Sequence, residues 1–408
     1  MSNSDAVRAL ELVEVPTGHA AVEALWDHLD SALAGDSVIA PIPEESSALP
    51  GPIVAAIRDA IRPDDPVPND IAVVMSTSGS TGNPRGVMLT AQALTSTTRQ
   101  INSRAGGDPT WVLAIPPTSI GGLNVMVRAH ATGRRPIAVS SVGGAERFTD
   151  QAFADAIDTA RATDRPIAVS LVPTQLPRLL ATAAGRSALS ECALVLVGGA
   201  ALAPQAARDC EAAGISVTTT YGMTETSGGC VLDGYPLDGV DIRLDETDQR
   251  IHIAGPMLAS GYRDGIDDVF DGRWLRTNDR GRWSDGVLHV IGRLDDVVSI
   301  QGVNVDLVAI EDRLNDHPAV TSAIAVPTVD QKTGDHRIAM VYVGDRVDRE
   351  EIRNWISPNF GSIATPSSIH LVQGFTLTAS GKVDRRATAS AIGLTIAEAG
   401  DEEDEEIA

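Results

Sequence analysis

Between residues 70 and 222 short apolar runs alternate with longer helix-like stretches, and this alternation constrains the fold more than any other property of the chain. IAVVM (71–75), TWVLAIP (110–116), PIAVS (136–140), PIAVSLV (166–172), ALVLVGG (193–199) and SVTTTYG (216–222) read as buried strands. Between them lie MLTAQALTSTTRQINSRA, LNVMVRAHATG, FADAIDTARATD, TQLPRLLATAAG and APQAARDCEAAG. Strands spaced by helices imply βαβ units and a largely parallel sheet, an α/β architecture whose ligand sites collect at the carboxyl ends of strands. Glycine-rich segments follow IAVVM, ALVLV and SVTTT, at such ends.

The pattern changes near residue 230. GVDIRLDETDQRIHIAG alternates like a strand around a polar turn, and WLRTNDRGRWSDGVLHVIGR reads as further hairpins, a β-rich addition to the large domain. From about residue 295 the order becomes VVSIQGVNVD, a helix DLVAIEDRLNDH, strands SAIAVPTV and IAMVYVG, a helix REEIRNWIS and IHLVQ, which is a small α+β unit. The polar stretch GRLDD (292–296) before it has the composition of a hinge. The expected division is a large domain over 1–292, a hinge at 293–297, a small mobile domain over 298–395 and a tail over 396–408. The first 70 residues hold ELVEV, a helix over 18–33 and PIVAAIRDAI.

Composition excludes several classes of function. The 408 residues carry 32 Lys+Arg against 55 Asp+Glu, and a net charge of −23 repels phosphate backbones and anionic lipid, so no nucleic acid or membrane partner is expected. Glu398 and Asp401 to Glu406 gather like charges at the end of the chain, as a solvated tail does. Cys192, Cys210 and Cys230 form neither a CxxC pair nor a dense even set, against a disulfide framework or zinc site. No signal-type start or unbroken apolar run of about 18 residues is present, so a cytoplasmic protein is expected. Self-association as a homodimer stays open. Among the basic residues only Lys332 and Lys382 are lysines, and Lys332 sits in a polar loop between two strands.

The sharpest local signal is Thr77-Ser78-Gly79-Ser80-Thr81-Gly82-Asn83-Pro84-Arg85-Gly86, between the strand at 71–75 and a helix-like stretch. Glycines let backbone N–H groups turn toward an anion, and clustered hydroxyls add donors for a polyphosphate. A plain Gly/Ser turn has the same composition, and GxxxxGK[ST] is absent. The run resembles the phosphate-binding motif of the adenylate-forming superfamily, which comprises acyl-CoA synthetases, luciferases and adenylation domains. Further motifs of that superfamily follow in order: Tyr221-Gly222-Met223-Thr224-Glu225, Thr277-Asn278-Asp279-Arg280-Gly281, Gly292-Arg293-Leu294-Asp295-Asp296 with Gly302, and Thr378-Ala379-Ser380-Gly381-Lys382-Val383-Asp384-Arg385. The resemblance implies ATP and coenzyme A as substrates, with Mg2+. It implies that Thr224 contacts the α-phosphate, Glu225 helps hold magnesium, Asp279 takes the ribose hydroxyls, Arg293 reaches the ribose, Asp295 is the interdomain hinge and Lys382 is the adenylation lysine. It also places Thr77 to Gly82, Arg85, Gly198, Gly199, Ala200, Thr220, Tyr221 and Gly222 along the nucleotide.

These residue types suit the chemistry. Activating a carboxylate with ATP is an in-line displacement at the α-phosphorus, so negative charge grows on phosphate oxygens and catalysis is largely placement of cations and donors. A single carboxylate fits a magnesium ion that keeps several waters, and an acceptor-only aspartate fits paired ribose hydroxyls. Three places depart from the patterns of relatives: Arg85 stands where a lysine is usual, Phe375-Thr376-Leu377-Thr378 where the late loop usually opens LPxT, and Ser119 where relatives usually show a histidine.

Within the superfamily the chain most resembles the o-succinylbenzoate:CoA ligases of menaquinone biosynthesis, short actinobacterial type. The pointers are Gly122-Leu123-Asn124-Val125-Met126-Val127-Arg128, the run from Ser170 to Leu180, and Val197-Gly198-Gly199-Ala200. That acid has two carboxylates, one activated and one needing a cation or donors, for which Arg128 and Gln175 are the candidates, with Ser119 bordering the same pocket. An exposed helix arginine is the other reading of Arg128. The resemblance leaves three functions: this ligase, another aryl- or acyl-CoA ligase or carrier-loading adenylation enzyme, and a non-catalytic nucleotide-binding relative.

Overall fold

The computed structural model describes residues 6–46, 51–77, 84–144, 146–300, 303–329, 336–361, 365–376, 383–394 and 396. Five of the six expected strands join one seven-stranded sheet, in the order Tyr235–Pro236, Gly228–Leu232, Thr218–Met223, Cys192–Gly198, Ile167–Leu171, Thr110–Leu113, Ile137–Ala138. Pairing is parallel from Ile137–Ala138 through Thr218–Met223, and the last two strands fold back antiparallel. The central strands Thr110–Leu113 and Ile167–Leu171 are buried at every position, as strands covered on both faces must be. Helices Ile120–His130 and Asp150–Arg161 pack on both strands and supply that cover.

The sixth strand departs from the expectation. Ile71–Ser76 lies in a separate five-stranded sheet and pairs antiparallel with Gly86–Thr90. The glycine- and hydroxyl-rich loop therefore joins two adjacent strands, and does not run from a strand straight into a helix. Val87 and Leu89 are buried while Met88 and Thr90 are half-buried, a period-two alternation that outweighs the helical look of the segment. Only then does Thr90 accept from the Ala93 N–H at 3.0 Å and start the helix Ala91–Thr95. TQLPRLLATAAG likewise forms two short helices, Leu176–Leu180 and Ala183–Ser190, because Thr182 caps the second through the Gly185 N–H.

The hairpins expected beyond residue 230 are present as Asp241–Leu244 with Arg250–Ala254 and Trp274–Ser284 with Val287–Arg293. A one-turn 3-10 helix, Leu294–Asp296, leads into Val297–Ile300. The following unit has its own core of Ile310, Leu314, Met340, Tyr342, Ile352 and Ile356 beneath helices Leu307–Asn315 and Arg349–Phe360. The three cysteines are free, and burial pushes the thiols up, to about 12 for Cys192 and Cys230. Among the described residues no helix is long and apolar enough to cross a membrane.

Candidate active site

The neck of the phosphate-type loop is closed by two backbone-level contacts, Thr77 N–H to the Arg85 carbonyl at 2.8 Å and Arg85 N–H to Thr77 Oγ1 at 2.9 Å. Ser78, Gly79, Ser80, Thr81 and Gly82 lie outside the described residues. The Arg85 side chain, expected along the nucleotide, forms a two-pronged pair with Asp264, Nε to Oδ2 and Nη2 to Oδ1, each 2.8 Å, and also donates to the Ile266 carbonyl. Its guanidinium lies 3.5 Å above the Tyr262 ring centroid. The Asp264 hydrogen bond raises the arginine's pKa further, so the charge is permanent.

Strand Thr218–Met223 delivers Tyr221 and Gly222 and passes into the 3-10 turn Thr224–Thr226. Only glycine fits at 222, because a Cβ there would stand 2.1 Å from the Gly228 carbonyl oxygen. Thr226 Oγ1 accepts from the Met223 N–H at 2.8 Å and locks the turn, which sets Thr224 and Glu225 half-buried side by side. Glu225 Oε1 accepts from the Tyr262 hydroxyl at 2.7 Å. No cluster of three or more His, Cys, Asp or Glu among the described residues could hold a metal. A lone carboxylate of this kind fits a magnesium ion that takes its other ligands from water and phosphate.

Asp279 and Arg293 face each other across the Trp274–Ser284 and Val287–Arg293 pair. Asp279 is 9% exposed, accepts from the Tyr221 hydroxyl at 2.8 Å, and lies 3.5 Å from Arg293 Nη1. Burial, then the Asp279 charge, raises the Tyr221 pKa well above its ordinary value, which keeps it a donor. Arg293 also grips Asp295 with Nε and Nη2 at 2.7 and 2.8 Å, so the pair expected at the ribose and the expected hinge residue are in direct contact. Gly198 ends strand Cys192–Gly198 and Gly199 follows it; a Cβ on Gly198 would stand 2.5 Å from Thr220 Cγ2, and Gly199 takes a left-handed φ of +87° with Ala200 exposed beyond it.

Ser119 caps helix Ile120–His130 by accepting from the Gly122 N–H at 3.5 Å, and its hydroxyl donates to the Pro116 carbonyl at 2.7 Å. One turn in, Asn124 Nδ2 donates to the Ser227 carbonyl at 2.7 Å and ties the helix to the Glu225 turn. Arg128 follows on the same helix face. It is 4% exposed, which rules out the exposed reading, and its guanidinium lies 5.3 Å from the Trp111 ring centroid. Among the described residues Arg128 Nε has no hydrogen-bond partner, and burial alone lowers the pKa to about 10. Ser170 Oγ, Thr220 Oγ1 and Ser227 Oγ are likewise buried without partners. Gln175 is committed to the backbone: Oε1 accepts from the Val172 N–H at 2.9 Å and Nε2 donates to the Ala114 carbonyl at 3.0 Å, bracing the ends of two central strands. Lys382 lies outside the described residues, as do Lys332 and the acidic tail. Arg385, three positions on, binds Glu311 and Asp296.

Residues 7–269 match the family of AMP-binding enzymes, and residues 309–382 match the AMP-binding enzyme C-terminal domain. The chain belongs to the AMP-binding enzyme family. A probable 2-succinylbenzoate--CoA ligase of Mycobacterium tuberculosis (strain CDC 1551 / Oshkosh) is 36% identical over 388 residues, covering 93% of this chain and 97% of that one. A 2-succinylbenzoate--CoA ligase of Bacillus cereus (strain ATCC 10987 / NRS 248) is 29% identical over 342 residues, covering 77% and 68%. The structure of the o-succinylbenzoate coenzyme A synthetase of Bacillus subtilis in complex with ATP and magnesium ion shares the fold, with a TM-score of 0.68, 19% identity and coverage of 93% and 89%. Sequence reasoning missed Tyr262 and Asp264, which belong to none of the motifs, and gave Asn124 no part although it lies in the run Gly122 to Arg128. The visible signal was compositional: Tyr262 is one of only four tyrosines.

Proposed function

We propose that this AMP-binding enzyme is an AMP-forming acid:CoA ligase that converts o-succinylbenzoate, ATP and coenzyme A to o-succinylbenzoyl-CoA, AMP and pyrophosphate in the cytoplasm, for menaquinone synthesis. The observation that carries the choice of acid is Arg128: a buried guanidinium with an unpartnered Nε is a poor structural element and a good counter-charge for a second carboxylate. The unpartnered hydroxyls of Ser170, Thr220 and Ser227 supply further polar groups for such an acid. The name carried by the mycobacterial relative, 36% identical over nearly its whole length, supports the same acid.

In this reading Asp279, held by Tyr221, takes the ribose hydroxyls, and Thr224 donates to the α-phosphate. Glu225 would hold Mg2+, which when bound neutralises charge on the phosphates. Lys382 brings its ammonium to the incoming carboxylate and the α-phosphate as one carboxylate oxygen attacks phosphorus and pyrophosphate leaves. The coenzyme A thiolate then attacks the acyl carbon and AMP departs. The small domain from residue 298 turns about 293–297 between the two steps. Chromatography of the products with o-succinylbenzoate should give AMP and pyrophosphate; ADP and phosphate would refute the reading. Lys382→Ala should slow adenylate formation by about 10²-fold or more and spare thioester formation from preformed acyl-adenylate.

A further inference from the structure

Tyr262 belongs to a two-residue strand, Gly261–Tyr262, that pairs with Met88 and Val87 just beyond the phosphate-type loop. Three independent contacts fix it. Its own N–H donates to Asp267 Oδ1 at 2.8 Å, its ring lies under the Arg85 guanidinium at 3.5 Å, and its hydroxyl donates to Glu225 Oε1 at 2.7 Å. The turn bearing Glu225 is tied to the same segment, since the Glu225 carbonyl accepts from the Ala259 N–H at 2.8 Å. The arginine above the ring is itself immobilised by Asp264 and closes the loop neck through Thr77. An isolated surface tyrosine needs none of this, and Tyr262 is 6% exposed.

We propose that Tyr262 is a positioning residue for the metal-holding carboxylate: its hydroxyl occupies Glu225 Oε1, so that Oε2 is presented in one orientation to the divalent cation that accompanies ATP. The inference rests on Glu225 being that carboxylate. Magnesium demands near-ideal octahedral geometry, and a single protein carboxylate free to rotate would meet it only part of the time. A hydrogen bond to the carboxylate's other oxygen removes that freedom, and the loss of such a bond typically costs 10- to 100-fold in metal affinity. Arg85 has a separate part in the same device. A planar cation stacked on the phenol polarises it and makes the hydroxyl a stronger donor, which a lysine at 85 could do only as a point charge. The arginine at this position thus links the neck of the phosphate loop to the metal carboxylate.

The test is a binding experiment without the acid, so that no turnover occurs: the affinity for ATP is measured by calorimetry in the presence and absence of Mn2+. In the parent protein Mn2+ should tighten ATP binding. Tyr262→Phe should cut that gain about 10-fold or more while leaving the affinity for metal-free ATP within twofold, a split that a merely structural defect does not produce. An unchanged gain in Tyr262→Phe, alongside a lost gain in Glu225→Gln, overturns the role of Tyr262 and leaves Glu225 as the metal carboxylate. An unchanged gain in Glu225→Gln refutes the metal assignment, and this inference with it. If Tyr262→Phe does not fold by circular dichroism, Arg85→Lys decides: a severalfold smaller gain supports the coupling, and a parental gain overturns it.

Discussion

Arg128 illustrates how a single residue can be expensive to the fold and useful to the site. Its folded pKa of about 10 lies below that of a free guanidinium because burial disfavours the charged form. The side chain is therefore still charged at pH 7, and folding pays for its desolvation at every pH below about 10; that cost fades only as the pH rises through the folded value. Replacing it by an apolar residue of similar length removes the cost. Arg128→Met should leave the melting temperature unchanged or raise it, yet reduce kcat/KM for o-succinylbenzoate by about 10²-fold, the scale expected when one partner of a buried charge pair is truncated. Benzoate, with no second carboxylate, should show little change, and equal losses for both acids would separate Arg128 from the substrate. Asp279 and Glu225 could be singled out from their motifs because ribose and magnesium, the ligands those motifs imply, each call for an acceptor-only group. Tyr262 was not, since its role depends on a partner 37 residues away.

Among the elements, helix Leu307–Asn315 shows how local rules and tertiary pairing combine. Asp306 starts it by accepting from the Val308 and Ala309 N–H groups at 3.0 and 3.2 Å, a cap readable in the sequence. Its buried Glu311 was not readable as such. Burial raises the Glu311 pKa, opposed by Arg385, whose Nη2 and Nε reach the carboxylate at 2.8 and 3.1 Å while Nη1 reaches Asp296 at 3.1 Å. One arginine thereby joins the helix, the end of the turn Leu294–Asp296 and the segment three residues after Lys382. Arg385→Gln should strand a buried carboxylate and destabilise this unit by about 3 kcal/mol. Hydrogen exchange over 307–315 should then speed up by roughly two orders of magnitude, with the central strands of the seven-stranded sheet unaffected; uniform or absent change would contradict the brace.

At the scale of the whole molecule two separately cored units meet at Leu294–Asp296, where the turn's own bond runs from the Val297 N–H to the Leu294 carbonyl. Asp295 contributes its side chain to Arg293 and contributes no bond to that turn, so Asp295→Pro should be accommodated here while φ is locked near −65°. If the small unit must rotate between the half-reactions, single-turnover assays should find adenylate formation largely intact and coenzyme A transfer severely slowed. An unchanged transfer rate in the folded variant would remove rotation at this residue from the mechanism. The sequence by itself determined the α/β class, the central parallel strands, the small α+β unit and the ordered motifs, because periodicity and glycine-bearing turns are local properties of the chain. Tertiary structure alone decided that Ile71–Ser76 leaves the main sheet, that Arg128 is buried with no paired carboxylate among the described residues, and that Tyr262 meets both Arg85 and Glu225. Each of those depends on which surfaces close over one another, and burial and pairing between distant segments leave no periodic trace in sequence.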